Sequence, residues 1–350
     1  MVPNPFLGVV LHALGGFAAG SFYIPFKKVK KWAWESYWLV GGFFAWMIAP
    51  WVVAWLVCPN LIDVLRSAPK SSLLWAYLFG VLWGIGGLTF GLTMRYLGMS
   101  LGYALALGFC AAFGTIIPPV FMHKFMGMLA QTSGLVTLGG VVVCLSGIAV
   151  CGRAGVSKER ELSADQKKAA VAEFDFKKGV WIAIFAGIMS ACMAFGIQAG
   201  EPIAKMAVLK GTAGLWQNTP VFIVIFAGGF TTNFLWCMFL NVKNRSAMNY
   251  VSGPIGSQLS NYLFSAMAGI TWYCQFMFYG MGTTKMGKYN FSSWTIHMAF
   301  IIVFSNMWGL LFHEWKGSSR RTHRMIFTGI MILVASTLVV GLGNYIAARK

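Results

Sequence analysis

Acidic residues are what this chain has least of: nine Asp and Glu in 350 residues, none of them deep in an apolar stretch. That scarcity excludes an intramembrane carboxylate pair for acid–base work and a carboxylate cluster for a metal. Charge of either sign is thin. It makes up 10% of residues, where a soluble domain carries about a quarter. HExxH, GxSxG and a phosphate-binding loop are all missing, so no enzyme activity and no cofactor or metal is expected. The seven cysteines (58, 110, 144, 151, 192, 237 and 274) form no CxxC pair and sit inside or beside apolar windows. They read as small packing residues. The start, Met1-Val-Pro-Asn-Pro5, lacks the basic region of a signal peptide, so the first apolar stretch is expected to be kept.

What the chain does have is uninterrupted apolar length. Ten windows of at least 22 residues contain no Lys, Arg, Asp or Glu: 1–26, 36–62, 71–94, 96–123, 125–152, 179–200, 211–242, 246–284, 289–313 and 325–348. A spanning helix needs about 20 mostly apolar residues at roughly 1.5 Å each, so each window has room for one. Barrel strands are short and alternate polar with apolar, which these runs do not. The expected fold is an all-α integral membrane protein with ten transmembrane helices in the lipid bilayer.

The net charge of +18 invites a nucleic-acid reading, but the basic residues only punctuate the windows. Loops after the odd-numbered windows carry 18 Lys and Arg, against 7 after the even-numbered ones. The positive-inside rule then places the odd loops in the cytoplasm and both termini outside, with no nucleic-acid partner. Arg95, alone between the third and fourth windows, is expected to anchor a short cytoplasmic turn. Residues 153–178 hold seven basic and five acidic residues. This charged cytoplasmic linker separates a first five-helix half, 1–152, from a second, 179–350. An odd number of crossings per half forces opposite orientation, the inverted-repeat plan of many secondary transporters. Trp83, Gly91 and Gly98 recur at one offset as Trp272, Gly280 and Gly287, and Gly8, Val9 and Gly16 recur at another as Gly179, Val180 and Gly187. Spacings such as Gly16/Gly20, Gly80/Gly84, Gly87/Gly91 and Gly98/Gly102 suit close helix packing.

Ionisable groups inside a membrane are functional candidates, and here they are histidines. His12 falls about seven residues into the first window's helix and His297 about eight into the ninth, roughly 10–12 Å deep. Histidine exchanges protons across the physiological range, so His12 and His297 are the candidate proton-coupling residues. Gln275 and Thr271 lie at similar depth and can hydrogen-bond sugar hydroxyls. Trp272 and Trp294 flank that level, where their rings can stack on a pyranose. Asn290, Ser293, Trp294 and His297 follow i, i+3, i+4, i+7 spacing and are expected to share a helix face. The candidate substrate-binding set is Gln275, Trp272, Trp294, Thr271 and Asn290. The plainer reading is a buried, satisfied histidine and tryptophans that pack.

Several segments, in order, resemble the L-rhamnose–proton symporter family of the drug/metabolite transporter superfamily. They are Phe22-Tyr-Ile-Pro-Phe-Lys-Lys-Val-Lys-Lys-Trp-Ala-Trp-Glu35, Trp83-Gly-Ile-Gly86, Phe90-Gly-Leu-Thr-Met-Arg-Tyr-Leu-Gly-Met-Ser-Leu-Gly102, Gly152-Arg-Ala-Gly155, Phe174-Asp-Phe-Lys-Lys-Gly179, Trp294 with His297-Met298, and Glu314-Trp-Lys316. The likeness fades over about 198–260, which includes Glu201. It implies ten helices in two halves, a Gram-negative inner-membrane location, and L-rhamnose and a proton as the partners, driven by the proton motive force. Another sugar, coupling to Na⁺, and an exporter of amphipathic metabolites remain alternatives. A membrane-embedded enzyme or a sensor would need catalytic clusters or an output domain. A ten-helix unit can enclose its own pathway, so a monomer is expected.

Overall fold

The computed structural model describes residues 3–97, 99–121, 123–161, 175–313 and 315–349. The side chains of 91, 94–95, 97, 99–104, 121, 159, 176 and 288–289 are not described. The side chain of Arg95, the whole of Glu314 and the linker residues 162–174 therefore lie outside what is described.

Among the described residues every element is helical. The long ones are α1 Pro5–Ser21, α2 Trp34–Val57, α3 Lys70–Leu97, α4 Met99–Phe121, α5 Thr132–Glu161, α6 Phe176–Ala199, α7 Thr219–Lys243, α8 Ile255–Thr283, α9 Ser293–Leu311 and α10 Arg320–Ala348. Eight segments are long and apolar enough to cross a membrane by length and composition. The fourth and eighth expected crossings fall outside that set. The apolar run of α4 is the shorter Leu105–Val120, and α8 carries Ser257, Gln258, Ser260 and Asn261 in its first two turns. The chain is a multi-pass membrane protein, and large apolar side chains such as Phe6, Trp55, Leu56 and Trp181 stand fully outward where lipid would cover them.

Local chemistry sets the helix boundaries. Asn4 caps α1, its Oδ1 accepting from the Leu7 N–H at 3.1 Å, with Pro5 in the first turn. Asp175 and Ser319 cap α6 and α10 in the same way. In α2 Pro50 has no N–H to give the carbonyl one turn back, and the preceding Phe43–Ile48 widens into a π-helical turn.

Helices distant in sequence interleave: α1 packs against α8 and α9, α3 against α6 and α7, and α5 against α10. Small residues permit this. A Cβ at Gly20 would lie 3.0 Å from Phe304 Cβ on α9, and one at Gly84 would lie 3.0 Å from the Gly229 carbonyl on α7. The centre is aromatic. Trp83 and Trp272 lie 5.6 Å apart between centroids, with Trp46, Phe226 and Phe276 around them. Six of the seven cysteines are buried and all are free, in keeping with packing roles.

Candidate functional site

His12 projects from the middle of α1 and His297 from the second turn of α9, and neither side chain is accessible to solvent. Their ring centroids are 6.3 Å apart. Tyr279 of α8 leans on both, 5.3 Å from His12 and 5.1 Å from His297. Phe276, one turn away, lies 6.0 Å from His297.

Two glycines make the space. A Cβ at Gly282 would fall 2.7 Å from His12 Cε1. One at Gly15 would fall 2.8 Å from the Gln275 carbonyl and 3.2 Å from His297 Cε1. The helices therefore close to backbone contact around the imidazoles, and any larger residue there would expel them.

No described group hydrogen-bonds Nδ1 or Nε2 of either histidine. His297 approaches the backbone of His12 without reaching hydrogen-bond geometry. Leaving buried polar atoms unpaired costs on the order of 1–3 kcal/mol each, so four of them together weigh against the stability of the fold. The arrangement can accept a proton, a water or a ligand hydroxyl.

Beyond Tyr279 and Trp294, toward the end of the bundle where α1 and α9 begin, lies a cleft of about 220 Å³. Polar groups of Gln198, Glu201, Gln217, Asn218, Thr283 and Asn290 line it. Asn218 Nδ2 donates to the Gly280 carbonyl at 3.0 Å and to Thr283 Oγ1 at 2.9 Å. Gln198 Nε2 donates to Glu201 Oε2 at 2.9 Å, and Glu201 Oε1 pairs with Lys205 Nζ at 2.8 Å. A cavity of about 420 Å³ shares Gln198, Glu201 and Asn290 and continues toward Lys124. Trp294 is buried at the cleft's inner end, its Nε1 donating to the Cys110 carbonyl at 3.1 Å and its ring 5.8 Å from Tyr279.

The fold thus brings His12, His297 and Trp294 to one place through Tyr279. Asn290 reaches the cleft but not by the expected helix face. It is exposed in a 3₁₀ turn, Gly287–Ser292, and α9 starts only at Ser293. Three-residue turns up to Ser292 rotate Asn290 away from the position that a continuous α-helix would give it relative to His297. Gln275 is buried, and Thr271 is half-buried; neither lines the cleft. Trp272 packs in the aromatic centre, 5.2 Å from Phe276 and so one ring removed from His297. The residues missed from sequence are Tyr279, Gln198, Gln217, Asn218 and Thr283. Tyr279 carried a signal: it stands four residues after Gln275 and seven after Trp272, on their face of α8. The others lie on helix ends and turns where no periodicity operates.

A second buried polar site lies at the opposite end. Glu35, at the start of α2, is 3% exposed. Its Oε1 accepts from Asn244 Nδ2 at 3.0 Å and from Ser246 Oγ at 2.5 Å, both just after α7. Asn249 Oδ1 accepts from the Ala33 N–H at 2.8 Å, and Asn261 of α8 exchanges two hydrogen bonds with the Lys30 backbone. Among the described residues no three His, Cys, Asp or Glu side chains converge as metal ligands.

The family description "L-rhamnose-proton symport protein (RhaT)" matches residues 1–347. The L-rhamnose-proton symporter of Yersinia pestis (strain Pestoides F) is 38% identical over 340 residues, covering 96% of this chain and 97% of that protein. The L-rhamnose-proton symporter of Cronobacter sakazakii (strain ATCC BAA-894) matches at the same identity and coverage. The chain belongs to the L-rhamnose-proton symport family.

Proposed function

We propose that this member of the L-rhamnose-proton symport family imports L-rhamnose, or a closely related deoxy sugar, together with a proton by alternating access. The observation that carries the reading is the pair of buried, unpartnered histidines beneath a polar cleft. The family and its relatives supply the substrate and the ion.

In this mechanism the sugar enters the cleft beside Asn290 and stacks on Trp294. Gln275, Thr271 and Trp272 of α8 complete its binding set as the helices rearrange. Tyr279, between cleft and histidines, relays occupancy of one to the other. A proton on His12 or His297 creates a donor where none exists, and a sugar hydroxyl gives the imidazoles a partner. Each then raises affinity for the other, as linkage requires. Release to the other side leaves both unpartnered again.

The same proposal assigns ten crossing helices to two inverted five-helix halves, residues 1–152 and 179–350, joined by the cytoplasmic linker 153–178. Both termini face the periplasm, the protein resides in the inner membrane, and the transporting unit is the monomer. The lopsided loop charge supports the orientation. Contact between Trp83 and Trp272, related by the sequence offset, supports the repeat, because equivalent residues near a pseudo-two-fold axis meet.

The test is uptake of labelled L-rhamnose by cells lacking their own transporter, with and without a protonophore. Protonophore-sensitive accumulation that is indifferent to Na⁺ is expected. No uptake from well-expressed protein would discard the substrate, and accumulation that follows the Na⁺ gradient would discard the proton.

A further inference from the structure

Away from the histidines, α4, α5 and α10 enclose a trough of about 840 Å³. Phe109 of α4, Leu145 and Ile148 of α5 and Met325 of α10 form its apolar wall, and Gly108 and Gly152 leave it wide. From Leu145 to Gly152 the apolar run on α5 is roughly 10 Å long, comparable with the ~15 Å depth of one bilayer leaflet. Past Gly152 the lining becomes basic: Arg153 and Arg160 on α5 and Arg321 on α10 stand exposed at its rim.

The one described carboxylate there, Glu161, is engaged elsewhere. It accepts from Ser319 N–H and Oγ and from Thr322 Oγ1, all at 2.6 Å, which tie α5 to the start of α10. Three arginines against one such carboxylate leave a surplus of two positive charges at the rim.

We propose that this trough binds an anionic glycerophospholipid, with an acyl chain along the apolar wall and the phosphate against Arg153, Arg160 and Arg321. The apolar wall offers a sugar no hydroxyl partners, and a free phosphate ion would gain nothing from it. A lipid with a negative head group satisfies both ends, as basic pockets between membrane helices do. Such a lipid would brace α5 against α10 beside the linker.

The experiment is thermal unfolding of the full chain in detergent, with dioleoyl phosphatidylglycerol, dioleoyl phosphatidylcholine or inorganic phosphate added. Phosphatidylglycerol alone should raise the melting temperature. The triple variant R153Q/R160Q/R321Q should need roughly 100-fold more of it for the same rise. Gly108→Leu is the second variant: a Cβ there meets only Ile148 Cγ2, at an ordinary 3.5 Å, so the leucine fills the trough without altering charge. It should also blunt the response. An equal rise from phosphatidylcholine, or from inorganic phosphate, overturns the assignment. So does a triple variant that responds like the parent. If the triple variant does not fold, an undiminished response of Gly108→Leu overturns it alone.

Discussion

Two buried ionisable sites lie at different depths of this bundle, one at an end and one well inside, and the fold treats them in opposite ways. At one, the carboxylate of Glu35 is met by Asn244 and Ser246, and the surrounding Ser36, Asn241 and Asn249 bond one another and the backbone. At the other, four ring nitrogens of His12 and His297 meet no donor or acceptor among the described residues. The Glu35 junction ties α2 to the segment after α7, so its hydrogen bonds do structural work. The histidines are held only by shape, by Gly15, Gly282 and the ring of Tyr279. A saturated site resists change in protonation and position. An unsaturated one is open to a proton or a ligand, and its cost is borne by packing elsewhere.

The largest effect that separates them should come from the histidines. His297→Ala and His12→Ala are each expected to reduce accumulation of labelled sugar to the level reached with a protonophore, at normal expression. Because the two act as a unit, the double variant should be no worse than either alone. Undiminished proton-driven uptake in His297→Ala would remove it from the mechanism.

Next comes shape. Gly282→Ala puts a Cβ 2.7 Å from His12 Cε1, so the imidazole must move, at an overpacking cost of about 1–3 kcal/mol. Uptake should fall more steeply than the melting temperature does. Equal loss of both would mean that the glycine serves packing alone.

At the saturated site the pattern should invert. Glu35→Ala removes the acceptor of Asn244 Nδ2 and one of the two acceptors open to Ser246 Oγ, and should destabilise the fold by about 1 kcal/mol, while uptake per folded molecule is retained. Glu35→Gln keeps an acceptor and should cost less. Loss of coupling in a well-folded Glu35→Gln would break the comparison and make Glu35 a proton carrier.

The smallest effect is at Glu161. Hydrogen bonds, first from Ser319 and then from Thr322, hold its carboxyl down to about 2. A depressed carboxylate stabilises the fold above its ordinary value near 4.3 and loses that contribution as pH falls toward 2. Protection of the α10 amides against hydrogen exchange should be flat from pH 7 to 5 and decline below about 4, and Glu161→Gln should flatten that decline.

Much of this was legible beforehand because the relevant signals are local. Charge-free windows mark helices wherever they pack, and a histidine seven residues into an apolar run is deep whatever surrounds it. Four of the seven candidate residues gather around, or reach, one cleft: His12, His297, Trp294 and Asn290. Asn290 shows the limit of periodicity, which presumes that a helix has already begun. Trp272 shows another: depth places it beside the site, and only packing decides that its ring faces Trp83 and Trp46.

The sequence by itself determined that this chain lives in a membrane, belongs with the rhamnose symporters, and carries few ionisable groups deep in its apolar windows beyond two histidines. Composition and residue order are enough for that, since burial in lipid acts on each segment separately. The tertiary structure alone decided that His12 and His297 share Tyr279 and lack partners, while Glu35 is given two. Those outcomes depend on glycines on one helix meeting side chains more than two hundred residues away, and contacts at that separation follow from how whole helices pack.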